Sequence, residues 1–144
     1  MKPQEFIGQL DEARITAAIA KAERLSSGEI RVYVTHHRID DALGRARRRF
    51  LKLGMDRTRH RNAVLLYFAP RSHQFAIVGD TGIHEKCGDN FWRAATDAMS
   101  AQLKAGRFTE AVETAVQQIG EVLARHFPRG PDDRNELPDS VVRD

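Results

Sequence analysis

The residues best suited to chemistry lie in one stretch, QFAIVGDTGIHEKCGDNFW, at positions 74–92. A short apolar run ends at Gly79, and two aspartates, a glutamate and a histidine follow it, with glycines between them. Hard divalent cations such as Ca²⁺ or Mg²⁺ bind carboxylate oxygens of this kind, and glycines allow the backbone to approach closely. The stretch therefore indicates either a metal site or no more than a turn and a helix cap.

Apolar residues at helical spacing predict four helices that would position these side chains. The first begins at its N-cap, Asp11, and stops at Gly28, and the second covers DDALGRARRRFLKLGM, 40–55. The third runs from near Asp89 to Gly106, and the fourth runs from Thr109 to Pro128. The segment DTGIHEKCGD, 80–89, is predicted to be a loop.

Three strands are predicted between these helices. EIRVYVTH, 29–36, alternates as a strand with one well-buried face, NAVLLYFA, 62–69, reads as a central strand, and QFAIVG, 74–79, follows a short turn. The first two strands should be parallel through a right-handed crossover, and the last two should form a hairpin. We therefore expect an α/β fold with a small mixed β-sheet, a parallel β-α-β crossover plus an antiparallel hairpin, and helices packed on both faces.

The composition is that of an ordinary globular domain. The 144 residues fit a single domain, here 1–127, and 41% hydrophobic with 30% charged residues is typical of soluble proteins. No apolar run approaches the roughly 20 residues that span a bilayer, and no secretory signal is evident. The single cysteine, Cys87, excludes a disulfide within the chain, so we expect a cytoplasmic protein. Pattern alone predicts that the Pro-rich segment 128–144 is a mobile tail.

Strand polarity predicts which acidic residues meet. If the third strand is antiparallel to the second, then Glu29, Asn62 and Asp80 gather at one edge of the sheet. The segment after Asp80 leaves from that edge and returns at Asp89, the predicted start of a helix, whose amides favour anions. We therefore predict a divalent-cation site, calcium or magnesium, formed by Glu29, Asp80 and Asp89. The alternative is three separate structural roles: strand start, turn and N-cap.

Other clusters carry weaker signals. RARRR, 45–49, has the charge to meet phosphate, but it wraps more than a helical turn and lacks interleaved aromatics, so the sequence does not favour a nucleic-acid partner. His36 and His37 are adjacent on a strand and point to opposite faces, which argues against one shared metal ion. His84 lies near the acids and is the candidate for proton transfer.

The chain resembles the TPM-domain family, which is named for a thylakoid lumen protein, a photosystem II repair protein and a modulator of a nematode acetylcholine receptor. The similarity runs through SSGEIRVYV (26–34), LGMDRTRHRNAVLLYFA (53–69), FAIVGDTGIHEKCGDNFW (75–92) and LKAGRFTEAV (103–112). It is closest to the short, soluble bacterial members, whose ends are similar to NELPD at 135–139; this implies that the tail can dock on the domain. The chain departs from the family at Ala63, where many members have glycine, and at Asp80, which replaces the first glycine of a GxG turn.

The resemblance implies an α/β fold with helices on both faces of a small mixed sheet. It also implies divalent-cation binding, as in some members, and the phosphatase activity proposed for plant members. Glu29 and Asp80 match the SGEI and GD.G patterns of the soluble subgroup, and Asp89 matches an acidic position after the loop. Our first hypothesis is a non-catalytic, calcium-binding interaction module with an unknown protein partner. The second is a metal-assisted phosphatase in which His84 donates or accepts a proton.

Overall fold

The computed structural model describes residues 10–131, 133 and 136–144. Its five α-helices, numbered α1 to α5 in chain order, span Glu12–Leu25, Ala42–Lys52, Thr81–Cys87, Arg93–Lys104 and Phe108–His126. Its four strands, β1 to β4, span Glu29–Val34, Ala63–Ala69, Gln74–Gly79 and Val142–Arg143. Short 3₁₀ turns, Met55–Arg57 and Pro70–Ser72, precede β2 and β3 respectively. Within the described residues, no helix is both long and apolar enough to cross a membrane.

The sheet confirms the predicted topology. The strand order is β3-β2-β1-β4, with β1 parallel to β2 and β3 antiparallel to β2. Glu29 pairs with Ala63, and Val64 pairs with Gly79, so the start of β1 and the start of β2 share an edge with the end of β3. The hydrophobic pattern fixes this register because a one-residue slip would turn every side chain to the other face.

Two apolar cores lie on the two faces of the sheet, as predicted. On one face Ile30, Val32 and Val34 of β1 pack with α1, α4 and α5. On the other face Tyr33 of β1 packs with α2 and with alternate residues of β2. All six residues of β1 are buried, so the prediction of only one well-buried face was wrong. Helices on both sides of the sheet account for the difference.

Two of the predicted helix boundaries also need correction. The segment after Asp80 was predicted to be a loop but forms α3, a seven-residue helix whose first amide is capped by the Asp80 side chain. The helix predicted from near Asp89 begins at Arg93 instead. By contrast, Asp11 caps α1 as predicted, since its Oδ1 accepts a hydrogen bond from the Arg14 amide at 3.1 Å.

The described part of segment 128–144 lies against the domain. Val142 and Arg143 pair with Tyr33 and Val34 of β1, and Leu137 packs on the core under α2. Pattern reading gave no sign of this because the segment has little apolar content of its own. Its contacts with β1 are mostly polar, and they bring it to the candidate site.

Candidate functional site

Three polar residues mark the edge where β1 and β2 start and β3 ends. The Glu29 amide donates to the Asn62 carbonyl oxygen at 3.3 Å, and the Asp80 amide donates to the Ala63 carbonyl oxygen at 3.0 Å. The predicted gathering of Glu29, Asn62 and Asp80 at one edge is therefore observed. Their role as metal ligands stays a prediction.

Alternation places Glu29 and Asp80 on the same face of the sheet, with Ala63 between them. Glu29 is paired with Ala63, and Asp80 continues β3 opposite Ala63. Because neighbouring strands lie about 4.8 Å apart, the Cα atoms of the two acidic residues are roughly 10 Å apart across the sheet. Ala63 contributes only a methyl group to the intervening position. The contacts of the Glu29 carboxylate are with Glu23 of α1 and with Glu136 in the C-terminal segment, on the side of β1 that faces away from β2.

Both carboxylates accept hydrogen bonds from backbone amides, and the Glu29 carboxylate also forms a hydrogen bond with the Glu23 side chain. Glu29 Oε1 accepts a hydrogen bond from the Glu136 amide, and Asp80 Oδ1 accepts one from the Thr81 amide at 2.8 Å. Glu29 is 1% exposed and Asp80 is 8% exposed. Glu29 Oε2 and Asp80 Oδ2 are buried without a hydrogen-bond partner among the described residues.

Two neutral oxygens in the stretch before β2 share this condition. Thr58 Oγ1 and Asn62 Oδ1 are buried and unpartnered within the described part of the chain. Both residues belong to the segment that leads into β2, and the Asn62 side-chain amide is itself fixed by donating to Ser27 Oγ at 3.0 Å. A buried polar atom without a partner costs about 1–3 kcal/mol. Glu23 Oε1, Arg31 Nε and Gln102 Oε1 are buried and unpartnered as well within the described residues, so the condition extends beyond these four oxygens.

A second cluster of charged residues borders Glu29. Burial raises the pKa of Glu23 to about 10, and a hydrogen bond with Asp139 adds to this effect. Burial likewise raises the pKa of Glu29, and burial lowers the pKa of the Arg31 guanidinium despite three nearby carboxylates. Glu23 Oε2 accepts a hydrogen bond from the Ile30 amide at 2.8 Å. The strand β4 pairs with Tyr33 and Val34 and does not reach this amide. This cluster couples α1, β1 and the C-terminal segment.

Sequence reasoning missed this cluster, although Glu23 carries one signal. Ile15, Ile19 and Glu23 follow each other at four-residue spacing, so a carboxylate occupies the buried stripe of α1. Arg31 gave no such signal because β1 was predicted to have an exposed face. Asp139 lies in the segment predicted to be mobile.

Asp89 lies apart from the buried edge. Its side chain is 90% exposed, and its Oδ1 is 3.0 Å from His84 Nδ1. The Asp89 carbonyl accepts a hydrogen bond from Trp92 Nε1 at 3.0 Å, which closes the turn before α4. Across the described residues, no three His, Cys, Asp or Glu side chains form a group that could hold a metal ion. The structure thus places Glu29 and Asp80 on opposite sides of β2 and joins His84 to Asp89, and the three predicted acids form no triad in the described part of the chain.

His84 and Asp89 line a cavity of about 470 Å³ on the β3 side of the molecule. Phe91 and Trp92 form part of its wall, and the Phe91 ring meets the His84 ring edge-on with centroids 5.6 Å apart. A carboxylate bound to one imidazole nitrogen orients the ring. The pair can exchange a proton with a molecule in this cavity.

Comparison with known proteins identifies relatives over most of the chain. The family model described as TPM domain matches residues 1–122. The NMR structure of BA42 protein from the psychrophilic bacterium Bizionia argentinensis is 37% identical, covers 92% of each chain and has a TM-score of 0.86. The N-terminal domain of a P. gingivalis protein is 17% identical, covers 85% of this chain and 83% of its own, and has a TM-score of 0.69. The comparison with curated proteins gives no significant match.

Proposed function

The chain belongs to the TPM-domain family, and we propose that it is a non-catalytic interaction module that binds one divalent cation at the edge of its sheet. The observation that carries this proposal is the set of four buried, unpartnered oxygens described above: Glu29 Oε2, Thr58 Oγ1, Asn62 Oδ1 and Asp80 Oδ2. All four are hard oxygen donors of the kind that calcium and magnesium bind. The cytoplasmic location and a protein partner stay predictions.

Calcium suits this donor set better than magnesium. Calcium accepts six to eight oxygen ligands in flexible geometry, whereas magnesium demands a near-ideal octahedron and keeps several waters. The oxygens here come from four residues on three segments, and all four residues are buried. A bound cation would also offset the burial that raises the pKa of Glu29.

Asp89 is not part of this proposed ligand set. It was predicted as a third ligand, but its side chain is almost fully exposed and bonds to His84. This makes Asp89 a matched control, because Asp89→Asn removes the same charge as Asp80→Asn. Asparagine is also as good an N-cap as aspartate, so Asp80→Asn preserves the cap of α3.

Thermal denaturation in calcium, magnesium and chelator tests the proposal. A ligand that binds only the folded state at about a hundred times its Kd adds roughly 2.7 kcal/mol, or several degrees in Tm for a domain of this size. We expect calcium to raise the Tm of the wild type and of Asp89→Asn, and chelator to reverse the shift. Glu29→Gln and Asp80→Asn should lose most of it. Equal Tm values in all three conditions, with no heat in titration calorimetry, would refute cation binding.

The alternative is a metal-assisted phosphatase, favoured by the contact between His84 and Asp89 in an open cavity. An imidazole oriented by a carboxylate can act as general acid or base in hydrolysis of a phosphomonoester, while the cation polarises a phosphoryl oxygen.

Turnover of p-nitrophenyl phosphate distinguishes the two hypotheses. The phosphatase predicts activity that requires metal and is lost in both Asp80→Asn and His84→Ala. Calcium binding without turnover supports the non-catalytic module. Activity that survives chelator, or that persists in both variants, belongs to a contaminating enzyme.

A further inference from the structure

A basic cavity of about 260 Å³ lies at the end of the sheet opposite to Glu29 and Asp80. It is formed where β1 ends, beside Tyr67 of β2, and α2 covers it. Five of the side chains that line it are basic: His37, Arg45, Arg48, Arg49 and Lys52. In open α/β sheets, ligands bind outside the carboxyl ends of parallel strands, and this cavity occupies that position.

The basic side chains of α2 share one face of the helix. Arg45, Arg48, Arg49 and Lys52 follow the spacing i, i+3, i+4, i+7, which places them in adjacent turns. Arg47, in contrast, lines the separate cavity on the β3 side. The run RARRR is therefore not one uniform solvated surface, because its charges divide between two cavities.

One acidic side chain, Asp144, lines the cavity together with these cations. Arg45, Arg48, Arg49 and Lys52 make no ion pair with any of the described residues. The Arg49 guanidinium instead stacks over the Tyr33 ring, 4.7 Å from its centroid. Like charges at helical spacing repel one another, so this face of α2 costs stability in the absence of an anion.

The Asp144 carboxylate lies in the cavity, and its hydrogen bonds show that the cavity stabilises a negative charge. Asp144 Oδ1 accepts a hydrogen bond from the His36 amide at 2.8 Å, and Asp144 Oδ2 accepts one from the Tyr33 hydroxyl at 3.0 Å. Burial alone would raise the pKa of Asp144, but hydrogen bonds from Thr35 and these two donors outweigh burial and hold it below its usual range. The lining therefore has five basic side chains and one acidic side chain.

We propose that this basic cavity binds a compact phosphate-class polyanion, such as a phosphate monoester or pyrophosphate. Guanidinium groups bind phosphate oxygens in pairs, and several of them around one group suit a multiply charged anion. Drug-sized ligands occupy roughly 300–1,000 Å³, so the smaller cavity favours a compact ligand. Tyr67 is 4% exposed and offers no face on which a base could stack, which disfavours a nucleic acid.

This site is independent of the proposed cation site. The six residues of β1 separate the two ends of the sheet by about 20 Å. No single substrate phosphate can contact both ends at once. A phosphate bound here would therefore act as a ligand of the domain and not as a substrate of the metal.

Titration calorimetry with sodium pyrophosphate at constant ionic strength tests the proposal. We expect the wild type to bind pyrophosphate, and Arg45→Gln with Arg48→Gln to weaken binding at least about tenfold, since two charge-assisted contacts are lost. Both arginines are exposed and unpaired, so the double variant should keep its fold, and Lys52→Gln provides a second variant. Asp144→Asn should strengthen binding because it removes a competing negative charge.

Arg47→Gln is the matched control, with the same charge change on the same helix. It should leave the affinity for pyrophosphate unchanged. If Arg47→Gln weakens pyrophosphate binding as much as the double variant does, binding depends on the general surface charge and the proposed site is wrong. Absence of pyrophosphate binding at low salt would also refute the site. Binding of an RNA or DNA oligonucleotide that pyrophosphate does not displace would also overturn it.

Discussion

The substitution Glu23→Gln tests the effect of a buried acid whose pKa is strongly raised in the folded protein. Glu23 is 5% exposed, accepts a hydrogen bond from the Ile30 amide and is bonded to Asp139. Glutamine has the same shape as the protonated acid: its oxygen can accept from Ile30, and its amide can donate to Asp139. The variant therefore mimics neutral Glu23 and removes only its titration.

The expected effect depends on pH, with a definite sign. Burial raises the pKa of Glu23 from its ordinary value of 4.5 to about 10 in the folded protein. Between these two values the unfolded state has lost the proton and the folded state has kept it. The free energy of unfolding then falls by about 1.4 kcal/mol for each unit of rising pH. From pH 6 to pH 8 the wild type should lose about 3 kcal/mol that Glu23→Gln keeps.

Urea denaturation of both proteins at pH 6, 7 and 8 measures this effect. Groups that titrate alike in both proteins cancel in the difference, which should grow in favour of Glu23→Gln as pH rises. Glu121→Gln, at an exposed position on α5, is the control and should show a difference that does not change with pH. A constant difference between the wild type and Glu23→Gln would refute the conclusion that buried Glu23 is neutral at pH 7.

Two further predictions concern local packing and capping. Gly82→Ala should destabilise the protein by about 1–3 kcal/mol in urea denaturation, because a Cβ there would lie 2.5 Å from the Arg61 carbonyl oxygen and 2.6 Å from that of His60; an unchanged midpoint would mean that α3 moves freely. Asp11→Ala should cost about 1 kcal/mol in the same assay through loss of the cap on the Arg14 amide, and Asp11→Asn should restore it.

Periodicity predicted the main elements because their apolar residues face a core. The stripe Ile15 to Ile19 of α1 and the run Ala63 to Ala69 of β2 are buried as their spacing indicates. The short elements α3 and β4 were not predicted because they have too few residues to show a hydrophobic period. The helix α3 has seven residues, and its second position is Gly82, a poor helix former.

The candidate site was predictable only where topology determined it. Strand polarity was enough to place Glu29 and Asp80 at one edge. It did not reveal that Thr58 is buried, because no pattern marks a loop hydroxyl as buried. Asp89 was expected at a helix start, but a turn closed by Trp92 follows it, and α4 begins four residues later, at Arg93. The Asp89 carboxylate therefore lies at the surface.

The side of β1 that faces away from β2 has a consequence for self-association. An edge strand with free amides is a template on which another chain can add a strand and begin to aggregate. Here β4 pairs only with Tyr33 and Val34, while the Ile30 amide is occupied by the Glu23 side chain, and the backbone of Glu136 is bonded to Glu29. A side chain satisfies the amide without continuing the ladder. Detachment of β4 would uncover Tyr33 and Val34 at the end of β1, while the Ile30 amide would stay bonded to the Glu23 side chain, so a strand added at Tyr33 and Val34 could not extend its pairing to Ile30.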